Sequence, residues 1–149
     1  MNPFDPKAAV LAKHAQHVVL VHFPIALFLT GVAFDLAARR MKIAGLAAAA
    51  YYNLLAAAVF VIPTVVTGIA AWQWQLAGQK LKGLLALHLA LGCASALLIW
   101  LVAWIRFRQR GITSSSLPAY LLALELLTAM VVALTGHLGG FLSGVNVPA

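Results

Sequence analysis

Residues 17–27 read His17-Val-Val-Leu-Val-His22-Phe-Pro24-Ile-Ala-Leu27 and open a long apolar run. This run contains two imidazoles and a proline, which a segment that faces only hydrocarbon does not need. A proline inside a helix removes a backbone hydrogen bond, so we expect a bend at Pro24 that frees the carbonyl of Leu20. An apolar segment with these features is predicted to form part of a binding site.

The composition of the whole chain indicates a membrane protein. Of its 149 residues, 64% are hydrophobic and 9% are charged, whereas a soluble domain is about half apolar and about a quarter charged. The net charge of +7 comes from short clusters between apolar runs, which is typical of membrane loops rather than of a nucleic-acid-binding face. We therefore predict a lipid bilayer as the surroundings and no nucleic-acid partner.

Four apolar runs predict four membrane-spanning helices, at residues 18–38, 46–71, 84–105 and 117–138. Their connections are short, so we predict an all-α fold, an integral membrane four-helix bundle with up-down-up-down order. Residues 1–149 are expected to form a single membrane domain. No internal repeat is evident from the sequence, and no basic stretch precedes a short apolar core, so the first run is expected to be a retained span.

The distribution of basic residues predicts an orientation. The first and third loops contain six basic residues, and the opposite side contains four. The positive-inside rule then places both termini outside the cytoplasm. The six residues are Arg39, Arg40, Lys42, Arg106, Arg108 and Arg110, and the four are Lys7, Lys13, Lys80 and Lys82.

This topology brings four histidines to one depth in the outer leaflet. His17 and His22 lie at the start of the first span, His88 lies near the start of the third, and His137 lies near the end of the fourth. Histidines also favour helix ends, so chance placement remains an alternative to a site, and His14 is expected to be solvated. Ionisable groups inside spans are usually functional, so His22 and His88 are the predicted ligands, with His17 and His137 as a second pair or a rim.

The histidine layer favours a haem centre. Imidazole pairs suit haem iron, copper or zinc, and no cysteine or carboxylate lies at this depth to complete a structural zinc site. His17 and His22 are about 140° apart on a straight helix and cannot both face one small centre without distortion. Gly92 and Gly136 provide either clearance for a flat ring or close helix packing.

These features predict a membrane electron-transfer subunit that binds haem b, and not a stand-alone enzyme. Its expected partners are other electron-transfer proteins or subunits, and a homo-oligomer is an additional expectation. The alternatives are a subunit of a larger complex that binds a non-haem metal or a quinone, and a purely structural subunit whose histidines hydrogen-bond across helices.

Two carboxyl groups lie in the predicted spans. Asp35 precedes Arg39 by four residues, so an ion pair on one helix face is expected. Glu125 lies eight residues into the fourth span, where two interpretations remain open. One is a proton relay or quinone contact, and the other is a hydrogen bond to Asn53, Tyr51 or Tyr52 of the second span.

Four motifs resemble the DUF2231 family of predicted bacterial membrane proteins. They are the segment 17–27 with Phe34-Asp35-Leu36, Thr67-Gly68-Ile-Ala-Ala-Trp72, His88-Leu-Ala-Leu, and Gly136-His137-Leu-Gly139-Gly140. The chain departs from the family pattern at Val18, Ala71 and Gly92, where proline, aspartate and asparagine are common. The resemblance implies a four-span protein of the bacterial inner membrane that is linked with electron-transfer modules.

Overall fold

The computed structural model describes residues 13–74, 80–109 and 118–144 and confirms the all-α fold. A short helix, α1, precedes four long ones in the described chain. The five helices are α1 (Lys13–Leu20), α2 (His22–Met41), α3 (Ala44–Trp74), α4 (Gly83–Arg108) and α5 (Ala119–Leu142).

The long helices confirm the four-span layout. Gln16–Met41, α3, α4 and α5 are each long and apolar enough to cross a membrane. All four continue past the predicted C-terminal ends of the spans, and the predicted first residue of the fourth span, 117, lies outside the described residues.

Large apolar side chains cover the outer surface of these helices. Leu97 and Met130, for example, are 73% and 71% exposed. A water-soluble monomer rarely shows a continuous apolar surface of this kind. The exposed faces therefore contact lipid, and the chain is a multi-pass membrane protein.

The four long helices pack as a closed ring. α2 packs on α3, α3 on α4, α4 on α5, and α5 returns to α2, while α1 packs on α3. We call the end with α1 and the C-terminal end of α5 the histidine end, and the end with Arg39 and Arg106 the arginine end. The buried core between them consists of Phe28, Val32, Leu54, Ala57, Ala58, Val61, Ile99, Val102, Ala103 and Val132.

The two halves of the chain contribute to the bundle in the same way. Residues 71 positions apart occupy equivalent places in the hairpins α2–α3 and α4–α5. Both halves insert in the same direction, as parallel repeats do. Most paired residues differ in type, so the repeat is visible in the structure and was missed in the sequence. Buried pairs include Phe28 with Ile99, Val32 with Ala103, and Val61 with Val132.

The boundary between α1 and α2 lies at Val21, three residues before Pro24. The backbone angles of Val21, φ −60° and ψ −27°, remain in the helical region. Pro24 has no N–H to donate to the carbonyl of Leu20. That carbonyl lies 3.3 Å from Thr64 Oγ1 of α3, whose shorter hydrogen bond, at 2.9 Å, goes to Phe60 O of its own helix. The freed carbonyl thus contacts the neighbouring span.

Candidate ligand-binding site

An apolar cavity of about 530 Å³ opens between the two halves at the histidine end. This volume falls within the range of about 300–1,000 Å³ that is usual for small-molecule and cofactor sites. Twenty-four of its 28 lining residues form twelve pairs that are 71 positions apart, so the cavity is built from two equivalent walls. The pairs include His17 with His88 and Thr64 with Thr135.

His17 is held against α3 by its ring nitrogen. Its Nδ1 lies 3.1 Å from the carbonyl oxygen of Thr64 and 3.4 Å from Thr67 Oγ1. A carbonyl oxygen only accepts hydrogen bonds, so Nδ1 carries the proton and donates it. The ring lies close to Gly68, where an added Cβ would be 2.9 Å from His17 Cε1.

His88 repeats this arrangement in the second half. Its Nδ1 donates to the carbonyl oxygen of Thr135 of α5 at 3.2 Å. An added Cβ at Gly139 would lie 3.2 Å from His88 Cε1. The threonine follows its histidine by 47 positions in both halves, and the glycine follows the threonine by four.

The carbonyl bonds fix the chemistry of both imidazoles. With the proton on Nδ1, the lone pair of each neutral ring is on Nε2. Metal-ligating histidines usually donate their other ring N–H to a carboxylate or backbone carbonyl, which sets the tautomer and raises the basicity of the ligating nitrogen. His17 and His88 therefore both have the hydrogen bonding of ligand histidines.

The other two predicted ligands lie in different surroundings. His22 lines the same cavity, but it is exposed and donates its Nδ1–H to Val18 O of the preceding turn at 2.7 Å. His17 and His22 thus both line one cavity despite their spacing. His137 is exposed and does not line the cavity. Its ring packs edge-to-face on Phe141, with the two ring centroids 5.0 Å apart.

The glycines that give the imidazoles clearance are Gly68 and Gly139. The predicted pair, Gly92 and Gly136, also lines the cavity. A Cβ at Gly92 would come no closer than 3.9 Å to Thr135 Cγ2, which is ordinary contact. The sequence signal for Gly68 was its position 71 residues before Gly139, in the same relation as His17 to His88.

The two span carboxyls meet at the arginine end. Arg106 Nη2 donates to both oxygens of Asp35, at 2.7 and 2.5 Å, so a close ion pair crosses from α4 to α2, which the spacing of Asp35 and Arg39 did not predict. Glu125 Oε1 lies 3.7 Å from Arg106 Nε. Asn53 donates to Ala49 O, and no donor in the described chain reaches Glu125. Sequence spacing along one helix could not reveal contacts between helices.

The described residues contain no group of three or more His, Cys, Asp and Glu side chains placed to hold a metal ion. The fold and the cavity together define a four-helix membrane protein with two imidazoles in equivalent walls. The chain belongs to the DUF2231 family, described as a predicted membrane protein, whose pattern it matches over residues 13–146. Comparison with curated proteins and comparison with solved structures gave no match.

Proposed function

We propose that this protein is a membrane electron-transfer subunit that binds a b-type haem between His17 and His88. The observation that carries the proposal is the equivalence of these two residues. Each donates Nδ1–H to a threonine carbonyl, each lies against a glycine, and both line one cavity. The proposal keeps the haem expected from the sequence and replaces the pairing of His22 with His88.

The residues of the cavity suit this group. A haem supplies four equatorial nitrogen ligands itself, so one or two imidazoles complete the coordination of its iron. The walls between the histidines are mainly aliphatic, with Val61, Val65, Leu89 and Val132 among the lining residues. Such walls exclude water, and an apolar shell tunes a redox centre. Cys93 also lines the cavity, so the expectation that no cysteine lies at this depth was wrong. When bound, the haem would supply a one-electron redox centre.

The protein's own groups orient and hold the ligand. The carbonyls of Thr64 and Thr135 keep both rings in the tautomer that presents Nε2. Gly68 and Gly139 leave room for the Cε1 atom of each ring beside the neighbouring helix. Since the two walls belong to different halves of the chain, ligand binding also ties the halves together.

The tautomers favour haem over a quinone. The oxygens of an oxidised quinone accept hydrogen bonds, and a neutral imidazole with its proton on Nδ1 offers them an acceptor at Nε2. His17 and His88 both have their Nδ1–H directed to a backbone carbonyl. A haem iron would instead bind the lone pair on Nε2.

We place the protein in the bacterial inner membrane with both termini outside, which locates the cavity in the outer leaflet. The surplus of basic residues at the arginine end supports this orientation. Reporter fusions at the C-terminus and within the loop 110–117 test it. If a reporter that works only in the cytoplasm is active when fused to the C-terminus, the orientation is contradicted.

The visible spectrum of the purified full-length protein, expressed with haem available, tests the function. We expect a Soret band that shifts on chemical reduction, as a b-type centre gives. Retention of the band through size-exclusion chromatography separates a bound centre from loosely associated haem. A protein that purifies folded without a Soret band, and takes up none when haem is added, would contradict the proposal.

A further inference from the structure

The charged cluster at the arginine end has no part in the proposed haem site. We propose that Asp35 and Glu125 together bind one exchangeable proton, with Arg106 holding the pair in place. This would be a second functional site, located at the opposite end of the bundle from the cavity. The argument uses burial, hydrogen bonding and the internal repeat, and does not depend on haem.

The first observation is incomplete hydrogen bonding in a buried charged cluster. The side chains of Asp35 and Glu125 are both 0% exposed, and that of Arg106 is 10% exposed. Arg106 Nη2 bonds both oxygens of Asp35. Glu125 Oε1, Glu125 Oε2 and Arg106 Nε are all buried without a hydrogen-bond partner in the described chain, and Arg106 Nε lies 3.7 Å from Glu125 Oε1. A buried charge with no hydrogen bond is strongly unfavourable. The ionised form of Glu125 is therefore destabilised in this cluster.

The second observation is the position of the two carboxyl groups. Both lie against the same guanidinium: Arg106 Nη2 bonds both oxygens of Asp35, and Arg106 Nε lies 3.7 Å from Glu125 Oε1. Two carboxylates are both acceptors and cannot bond each other, whereas a carboxylic acid donates to a carboxylate. One proton therefore converts an unfavourable contact into a hydrogen bond, as it does in other carboxyl pairs that share a proton.

The third observation comes from the internal repeat. The position equivalent to Glu125 in the first half is Leu54, which is also 0% exposed. The bundle therefore accepts a leucine at this place, and packing alone does not require a carboxyl. Asp35 and Arg106 are themselves equivalent positions, and the negative charge of one already neutralises the positive charge of the other. Glu125 is the additional acid.

The surrounding charges are few and lie on two helices. α5 packs against α2 and α4. The charged groups that act on Glu125 from these helices are Asp35 and Arg39 of α2 and Arg106 of α4. Arg39 is exposed and lies two residues before the end of α2 at Met41, so the cluster lies close to the end of the span. A proton enters from that side, binds a carboxylate oxygen of Glu125 or Asp35, and leaves by the same route, with no other bond formed or broken.

Infrared spectroscopy of the full-length protein in lipid tests this site. The chain contains only three acidic side chains, Asp5, Asp35 and Glu125, so assignment is direct. We expect a carbonyl band of a protonated carboxyl that shifts in D₂O and disappears completely in Glu125→Gln. Asp5→Asn is the matched control and should leave the band unchanged. The carboxyl of the C-terminus is common to all variants and cancels in difference spectra.

Two outcomes would overturn the proposal. One is the absence of a protonated-carboxyl band in the wild type at every pH at which the protein is folded. The other is a band that persists unchanged in Glu125→Gln. If Glu125→Gln does not fold, Glu125→Leu, which copies Leu54, replaces it in the same comparison. All of these spectra can be recorded without haem, so either failure leaves the proposed electron-transfer function standing.

Discussion

His17 and His88 lie 71 residues apart and occupy equivalent positions in the two halves of the bundle. Each ring donates from Nδ1 to the carbonyl of the threonine 47 residues further along the chain. Each also lies against the glycine four residues beyond that threonine. This shared geometry makes the two histidines a pair, although His17 lies in the short helix α1 and His88 in the long helix α4.

Removing either member of the pair should have the same effect. We expect His17→Ala and His88→Ala each to convert a six-coordinate, low-spin haem to a five-coordinate, high-spin form, because each loses one axial bond. His137→Ala should leave the spectrum unchanged, since His137 lies outside the cavity. Visible and electron paramagnetic resonance spectra of the purified variants measure this. Loss of the low-spin signal in His22→Ala but not in His17→Ala would show that the sequence-based pairing was correct.

The glycines beside the rings should be intolerant of a methyl group. In Gly68→Ala the new Cβ would lie 2.9 Å from His17 Cε1, and in Gly139→Ala it would lie 3.2 Å from His88 Cε1. We expect both substitutions to displace the ring and weaken haem retention, with the larger effect at Gly68. Gly45→Ala is the control, because a Cβ there meets nothing within 4 Å. Equal haem retention in all three variants would contradict the role of these glycines.

The ion pair between Asp35 and Arg106 should be sensitive to loss of one partner. Breaking a buried pair typically costs about 3–5 kcal/mol, because the remaining charge is left uncompensated. We therefore expect Asp35→Asn and Arg106→Gln to lower the thermal unfolding midpoint clearly. Because the two positions are equivalent in the repeat, the double exchange Asp35→Arg with Arg106→Asp should recover part of the loss that either reversal alone produces.

Thermal unfolding in detergent or lipid measures these variants, with Arg40→Gln as an exposed control. The control should shift the midpoint little, as surface substitutions usually do. A double exchange that is no more stable than the two single reversals would show that the repeat does not extend to this pair.

Close packing of α2 on α3 at Gly31 should also limit substitution. A Cβ on Gly31 would lie 2.9 Å from Leu54 Cδ2 and 3.4 Å from the carbonyl oxygen of Ala50. We expect Gly31→Ala to destabilise the bundle by about 1–3 kcal/mol, as overpacking commonly does. Leu54→Ala in the same chain removes the closest atoms, so the double variant should lose less stability than the sum of the two. Strict additivity in unfolding measurements would contradict this contact.

The architecture was predictable from the sequence because it depends on hydropathy and charge averaged over whole segments. Four apolar runs and their basic connections define four spans whatever their detailed packing. The freed carbonyl at Leu20 was predictable for a local reason, the missing N–H of Pro24. The depth of His17, His22 and His88 also followed from topology, and all three line one cavity.

The partners of individual side chains were not predictable in this way. Asp35 bonds Arg106 across the bundle, and no spacing along a single helix encodes that contact. The internal repeat was missed because the equivalent residues are mostly different in type, as Asp35 and Arg106 themselves show. His137 shares the depth of the cavity, but its direction around α5 turns it towards Phe141, and depth alone does not fix direction.

A haem titration of the wild type beside the double variant His17→Ala/His88→Ala tests the central claim most directly. Both chains keep His22 and His137, so the comparison isolates the equivalent pair. We predict that the wild type binds one haem per chain with a low-spin bis-imidazole spectrum, and that the folded double variant binds none. A wild type that takes up no haem, or a double variant that binds it with the same spectrum and affinity, would contradict the account.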